Sequence, residues 1–462
     1  MADLTELLTK IVGDEHILTG DQIDDETRDE ALTVTPQQPA WVVRPGSTPE
    51  VAAVVALASE HGVALTARGS GTGLSGACVP TEGGLVVSFA RMAEIVEIDL
   101  ANHIAVVQPG VTLEQLDRAT AEHGLVYPVF PGESSASLGG NVATNAGGMR
   151  AVKYGVTRHH VLGLEAVLGT GEVVRTGGRF VKATSGYDLT QLIIGSEGTL
   201  AVVTEAILKL EPRLPHTATI LAPFRTLDEI AAAVPSIVAS GIGPMIIEYI
   251  DLISMGGITA HAGLDLGIPP DVKREALAYL VVVLEERRSE RLDEDTVELG
   301  ELVAGLGALD VYVLPPGAGA QLIEAREKAF WASKASGSDD ILDLVVPRAA
   351  IPAYLNRVAE LAQATGSLVV GCGHAGDGNV HLSVFQGDPA LRHGLIADIL
   401  RAGSELGGAV SGEHGIGTEK KAYYLALEDP AKIRLMRRIK VAFDPAGVLN
   451  PGKIFDREDA EP

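Results

Sequence analysis

The chain has 462 residues, 46% of them apolar, which supports about three folding units with buried cores and excludes wholesale disorder. Acidic residues outnumber basic ones 61 to 36, a formal charge of −25, and aromatics make up only 4%. That surface argues against a partner with a phosphate backbone, and the few rings argue against a base-stacking platform. Two isolated cysteines, Cys78 and Cys372, offer neither a disulfide framework nor a Cys-x-x-Cys pair, so the chain is not expected to hold an iron–sulfur cluster of its own. The first residues, Met-Ala-Asp-Leu-Thr-Glu, lack the basic start and apolar core of a signal peptide. No apolar run reaches the roughly 18–20 residues needed to span a bilayer. The expectation is a soluble, cytoplasmic, multi-domain enzyme.

Residues 1–40 read as a short helix and an acidic lead-in ending in Pro36 and Pro39. Short apolar strands follow at Trp41–Arg44, Leu65–Arg68, Leu85–Phe89, Ile95–Asp99 and Ile104–Gln108, separated by glycine-rich turns. Helical spacing marks Pro49–His61 and Thr112–His123, the first with Thr48 as a cap and Pro49 in its first turn. The stretch Glu211-Pro-Arg-Leu-Pro215 reads as a boundary. Beyond it, longer strands at Ala278–Leu284, Val311–Leu314, Asp343–Val346, Ser367–Gly371 and Val380–Phe385 alternate with helices near 226–240, 293–305, 318–333, 349–364 and 388–406. This texture predicts an α+β unit with an antiparallel sheet. After about residue 407 come a loop, a basic helix over 430–442 and a Pro/Gly-rich end.

Three segments suit an extended polar ligand. Arg68-Gly-Ser-Gly-Thr-Gly-Leu-Ser-Gly76 contains G-x-G-x-x-G, but no helical pattern follows, so the dinucleotide fingerprint is incomplete. Walker A fails as well, because its Lys-Ser/Thr end is missing. What remains is a loop of closely spaced N–H groups able to form an anion-binding nest, or an ordinary glycine-rich loop. Residues 131–148 are mostly small residues with amide or hydroxyl side chains, and Gly195-Ser-Glu-Gly-Thr-Leu200 precedes an apolar strand.

A different chemistry is written in Gly371-Cys-Gly-His374-Ala-Gly-Asp-Gly-Asn-Val-His381. The histidines are seven residues apart, which excludes a helical i,i+4 pair. Asp377-Gly378 signals a two-residue hairpin turn, which would set His374 opposite His381 with Cβ atoms about 4.5–5.5 Å apart. The candidate third ligand is Glu413, in Ser411-Gly-Glu-His414-Gly-Ile-Gly. Two His and one carboxylate form an open set for Zn²⁺, Mn²⁺ or Fe²⁺. Two satisfied histidines in a turn, with Glu413 as a cap, is the bland alternative.

The three polar segments together resemble the vanillyl-alcohol oxidase/p-cresol methylhydroxylase flavoproteins over about residues 38–215. The strings around His374, His381 and Glu413, with the ending Asn450-Pro-Gly-Lys453, resemble the FAD-linked D-2-hydroxyacid dehydrogenases, the group of D-lactate dehydrogenase and the glycolate oxidase flavin subunit. The resemblance implies an α+β fold: a two-subdomain FAD-binding domain over 38–215, after a helical lead-in over 1–37. A substrate or cap domain with an antiparallel sheet would follow over 216–410, and 411–462 would return to the flavin and active site. FAD would be held by Arg68, Gly69, Ser70, Gly71, Thr72, Gly73, Leu74, Pro131, Gly132, Ser134, Ser137, Gly140, Asn141, Thr144, Gly147, Gly148, Glu197, Gly198, Val203 and Asn450. Covalent members carry a His at the first loop. Here that loop reads Gly-Ser-Gly-Thr-Gly, so non-covalent FAD is expected.

By the same resemblance His374, His381 and Glu413 hold one divalent metal, His414 is the base, and Arg326 meets the substrate carboxylate. Phe330, four residues on, would line the side-chain pocket, with core packing as its other reading. The expected reaction is oxidation of a D-2-hydroxy acid, lactate-like or glycolate, to the 2-oxo acid. Apolar Phe330 and Ile341 weigh against a dicarboxylate. D-2-Hydroxyglutarate oxidation and redox-neutral chemistry on the same fold are the alternatives. Without cluster cysteines, electrons would leave to oxygen, a quinone, a cytochrome, an electron-transfer flavoprotein or a separate Fe–S subunit. Through such a partner the protein could sit peripherally at the membrane.

Overall fold

A computed structural model describes residues 2–456. The N-terminal half carries two sheets. The strands Ile17–Leu18, Trp41–Val43, Leu85–Ser88 and Leu65–Arg68 lie side by side in that order, the last three parallel. Parallel strands need crossovers, and the helix Thr48–His61 carries the chain from Trp41–Val43 over to Leu65–Arg68, on the far side of Leu85–Ser88. Ser47, not the expected Thr48, caps that helix by accepting from the Glu50 N–H, while the Thr48 hydroxyl donates to Glu165; Pro49 stands in the first turn, and Gly62 ends the helix at φ +63°. The second sheet is antiparallel and five-stranded, in the order Ile95–Asp99, Ile104–Val107, Ala201–Lys209, Val161–Leu168, Val173–Gly177. Each sheet packs its own apolar cluster.

The C-terminal half is built on one antiparallel sheet of seven strands: β1 (His216–Phe224), β2 (Ile246–Asp251), β3 (Ala278–Glu286), β4 (Tyr312–Leu314), β5 (Asp340–Val345), β6 (Leu368–His374) and β7 (Asn379–Phe385). They lie in the order β4-β1-β3-β2-β6-β7-β5. One face packs against the helices Leu227–Ala239, Ser289–Gly305, Ile351–Thr365 and Pro389–Glu405. Above the other face lie α1 (Leu252–Ala262), α2 (Pro316–Glu327) and α3 (Ala329–Ala335). The basic helix is found at Pro430–Phe443, and the chain then returns to the first half. The Leu65 N–H donates to Val448 and the Asn450 N–H to Leu65. Among the described residues no helix is long and apolar enough to cross a membrane.

Two local expectations are corrected. The segment expected as one helix over 318–333 breaks at Lys328, φ −83° and ψ 9°, so Arg326 and Phe330 stand on successive helices. The histidine hairpin is looser than the Asp-Gly signal suggests. His381 pairs with Cys372, not His374, because Ala375–Gly378 form a four-residue connection in which the Asp377 and Gly378 N–H groups both donate to the His374 carbonyl. The slip is two residues. An even slip preserves the face, so both imidazoles still point the same way, with ring centroids 4.8 Å apart.

Candidate active site

The first glycine loop, the 131–148 segment and residues 196–203 converge on a cavity of about 210 Å³. The loops interlock through Ser137, whose Oγ accepts from the Ser70 and Gly140 N–H groups. A Cβ at Gly69 would stand 1.9 Å from that oxygen, which is why the loop needs glycine there. The Asn141 Nδ2, buried on the cavity wall, has no partner among the described residues. A donor left orphaned in a glycine-lined cradle fits a ligand rich in acceptors. Arg68 through Leu74, Pro131, Gly132, Ser137, Gly140, Asn141, Thr144, Glu197, Gly198 and Val203 line this cavity.

Four further candidates stand off its wall. Ser134 is tied to helix Leu113–Ala121 by accepting from the Glu114 N–H. Gly147 abuts Glu413, Gly148 lines the neighbouring cavity, and Asn450 is spent on three hydrogen bonds. It accepts from Thr66 Oγ1 at 3.1 Å and donates to the Ala77 and Glu197 carbonyls at 2.8 and 2.6 Å.

Glu197 is buried, at φ +52°, with its Oε1 and Oε2 accepting from the Ile416 and Gly417 N–H groups, each at 2.7 Å. It therefore joins the cavity wall to the loop that carries Glu413 and His414. Burial pushes its pKa up to about 7 against the pull of those two donors. A raised carboxyl pKa means the folded chain holds the proton more tightly. This stabilisation is complete below about pH 4.5 and lost as pH rises through about 7, worth up to about 3 kcal/mol. Urea midpoints of wild type should fall across that interval, and Glu197→Gln should fall less steeply.

A second cavity, of about 240 Å³, lies between the seven-stranded sheet and α1, α2 and α3. Its inner end holds His374, His381, Glu413, His414 and Arg326. His374 Nε2 is 3.2 Å and His381 Nε2 3.4 Å from the same Glu413 Oε1. One donor atom from each residue lies within 4.8 Å of the others. The His381 Nε2 is buried and has no hydrogen-bond partner among the described residues. Two imidazole nitrogens and a carboxylate oxygen around one point, one nitrogen orphaned, fit a divalent cation. His414 sits beside the trio, its ring 5.4 Å from that of His381. Glu413, His414 and Phe330 line both cavities, so the two cavities meet at His414.

Two buried acids, which the sequence reading did not single out as functional, organise the cluster. Glu248 on β2 sits opposite His374 on β6. Its Oε1 is 2.5 Å from His374 Nδ1 and its Oε2 2.7 Å from Arg326 Nη2. A carboxylate on Nδ1 turns Nε2 toward Glu413. Burial lowers the His374 pKa, but Glu248 and Glu413 outweigh it and hold the imidazole well above its ordinary value. Burial and the neighbouring positive His374 push His381 the opposite way.

The second acid, Asp343 on β5, faces His381 on β7. Its Oδ2 accepts from the N–H groups of Gly412, Glu413 and His414 at 3.0, 2.9 and 2.8 Å and from Ser411 Oγ at 2.8 Å. Its Oδ1 accepts from Asn379 Nδ2 at 2.6 Å. Burial opposes the charge, yet His414, His381 and these donors hold Asp343 well below the usual carboxylate range. One saturated carboxylate thus fixes the turn that presents both Glu413 and His414. The sequence signal for both acids was a single acid inside an apolar strand, Ile-Ile-Glu-Tyr-Ile and Ile-Leu-Asp-Leu-Val.

Comparison with known proteins agrees with this architecture. The family described as FAD binding domain matches residues 39–177, and the one described as FAD linked oxidases, C-terminal domain, matches 213–454. The chain belongs to the FAD-linked oxidase family and is a FAD-dependent oxidoreductase. An uncharacterized FAD-linked oxidoreductase of Mycobacterium tuberculosis is 58% identical over 98% of this chain and 99% of its own. D-lactate dehydrogenase of Archaeoglobus fulgidus is 39% identical, covering 89% and 90%. Glycolate oxidase subunit GlcD of Bacillus subtilis is 37% identical, covering 99% and 97%. Among solved structures, p-cresol methylhydroxylase superposes with a TM-score of 0.81 at 18% identity, over 99% of this chain and 97% of that one, and so shares the fold.

Proposed function

We propose that the protein oxidises a D-2-hydroxy acid to the 2-oxo acid, using non-covalent FAD and one divalent metal. The observation that carries this reading is His414, placed where the two cavities meet and beside the His374/His381/Glu413 donor set. The names of the archaeal and Bacillus relatives support it, and the D configuration rests on the archaeal one alone. FAD, when bound, supplies a two-electron acceptor for the hydride leaving C2. A divalent cation, when bound, supplies a Lewis acid that acidifies the 2-hydroxyl.

The chain's own residues do the rest. His374, His381 and Glu413 hold the cation. Arg326 faces the substrate carboxylate with its Nε, which is buried and unpartnered among the described residues while Nη2 is pinned to Glu248. His414 takes the hydroxyl proton as the C–H bond breaks. Electrons then leave to an external acceptor, because Cys78 and Cys372 are single thiols and cannot hold a cluster. Purified protein mixed anaerobically with D- and L-2-hydroxy acids tests the reading. Its flavin absorbance should bleach with the D-acids and stop bleaching after chelation. An unbleached, metal-replete protein across the panel would refute the reaction class.

A further inference from the structure

The floor of the 240 Å³ cavity is one face of β6 and β7. Alternate residues of a strand share a face. From the donor set outward, that face reads His374, Cys372, Val370, Leu368 on β6 and His381, Ser383, Phe385 on β7. At about 3.3 Å per residue the floor runs roughly 20 Å from His374 to Leu368. Ile253, Gly257 and Ile258 of α1 and Phe330 of α3 stand across from it. A Cβ added at Gly257 would meet nothing within 4 Å, so this wall leaves room. At the outer end Ile253 and Leu368 are 57% and 46% exposed, apolar groups without cover.

Away from the donor set and Arg326, the hydroxyls of Ser333, Ser336 and Ser383 along this channel are already satisfied. The Ser383 and Ser333 hydroxyls bond each other at 2.7 Å. The Cys372 thiol is a small, buried side chain on the floor. Arg326, at the inner end, is the one Lys or Arg among the residues lining the cavity, and its charge is matched by Glu248. Glu327 adds an acid to the same wall. A second carboxylate at the far end of a substrate would find no cation there. A chain of methylenes would find apolar surface on Cys372, Val370, Leu368 and Phe385.

Resting on the 2-hydroxy acid reading above, we propose that the substrate carries an extended apolar side chain: a medium-chain aliphatic 2-hydroxy acid, with glycolate, lactate and dicarboxylic hydroxy acids as poor substrates. The carboxylate and 2-hydroxyl stay at Arg326 and the donor set, and the tail lies along Cys372, Val370 and Leu368 toward the mouth. Each methylene moved from water onto this floor is worth about 0.8 kcal/mol, a factor of about four.

The test is kcat/KM of the flavin- and metal-loaded protein for D-lactate, D-2-hydroxybutyrate, D-2-hydroxyhexanoate, D-2-hydroxyoctanoate and D-2-hydroxyglutarate, with a dye acceptor. The expected series climbs about fourfold per methylene, to about 60-fold over lactate at hexanoate and on the order of a thousandfold at octanoate, with 2-hydroxyglutarate at least tenfold below hexanoate. Dissociation constants of the matching 2-oxo acids, from flavin difference spectra, should follow the same order. Val370→Phe fills the floor and should cut the octanoate-to-lactate ratio at least tenfold. Gly257→Leu fills the opposite wall, where there is room, and should do the same if the first variant fails to fold. A series that is flat or falls from lactate upward, or ratios unchanged in both variants, overturns the channel while leaving the reaction class standing. No turnover of any D-2-hydroxy acid overturns both.

Discussion

His414→Ala is expected to lower turnover by 10²–10⁴-fold while flavin and metal content stay at wild-type levels. The size follows from what the imidazole would do. A 2-hydroxyl gives up its hydride readily only as it becomes an alkoxide, and within this cavity the residue free to take the proton is His414. His374 is held by Glu248 and Glu413, and His381 points its Nε2 at Glu413 Oε1, where the metal is proposed. The retention of flavin and metal follows from the scaffold. The His414 backbone N–H is fixed on Asp343 whatever its side chain, and Glu413 is fixed by the same oxygen. Anaerobic single-turnover bleaching, with metal analysis on the same sample, checks both halves. Partial rescue of the variant by added imidazole would localise the loss to proton transfer. Bleaching of His414→Ala at a near wild-type rate would remove this residue as the base.

The candidate site was legible in the sequence wherever it was local. The loop Arg68–Leu74, the 131–148 segment and the two His/Glu strings are contiguous motifs, and the structure brings them to two adjoining cavities. Strands and helices of the first half were legible for the same reason, since alternation and the Ser-Thr-Pro start act within a few residues, although Ser47 rather than Thr48 is the cap. What escaped reading was long-range. Glu248 reaches His374 across a strand pair 126 residues apart in sequence, and Asp343 reaches the 411–414 turn from 71 residues before His414. Nothing within a few residues of either acid signals a partner. The histidine hairpin register was misjudged because Asp377-Gly378 is a strong two-residue signal, while the chain uses a four-residue connection closed onto the His374 carbonyl. The period-two logic still put both imidazoles on one face. The break at Lys328 was hidden in an Ala- and Glu-rich stretch with uniform helical propensity.

His381→Ala is expected to lose the metal and most turnover together while the protein stays yellow. Three proposed ligands leave no redundancy, and the orphaned His381 Nε2 is one of the two nitrogens around Glu413 Oε1. The flavin should remain because His381 lines only the cavity beyond His414 and none of the glycine loops. Metal per chain after dialysis should fall from about one to below a tenth, and added Zn²⁺, Mn²⁺ or Fe²⁺ should restore chelated wild type but not the variant. Glu248→Gln grades the effect. It leaves all three ligands in place but exchanges the carboxylate on His374 Nδ1 for an amide, and loss of such a supporting group costs about 10–100-fold in metal affinity. Excess metal should therefore rescue Glu248→Gln and fail with His381→Ala. If both variants retain metal and turnover, the cluster is a set of satisfied side chains, and the acidity of the substrate hydroxyl must be set by His414 and Arg326 alone.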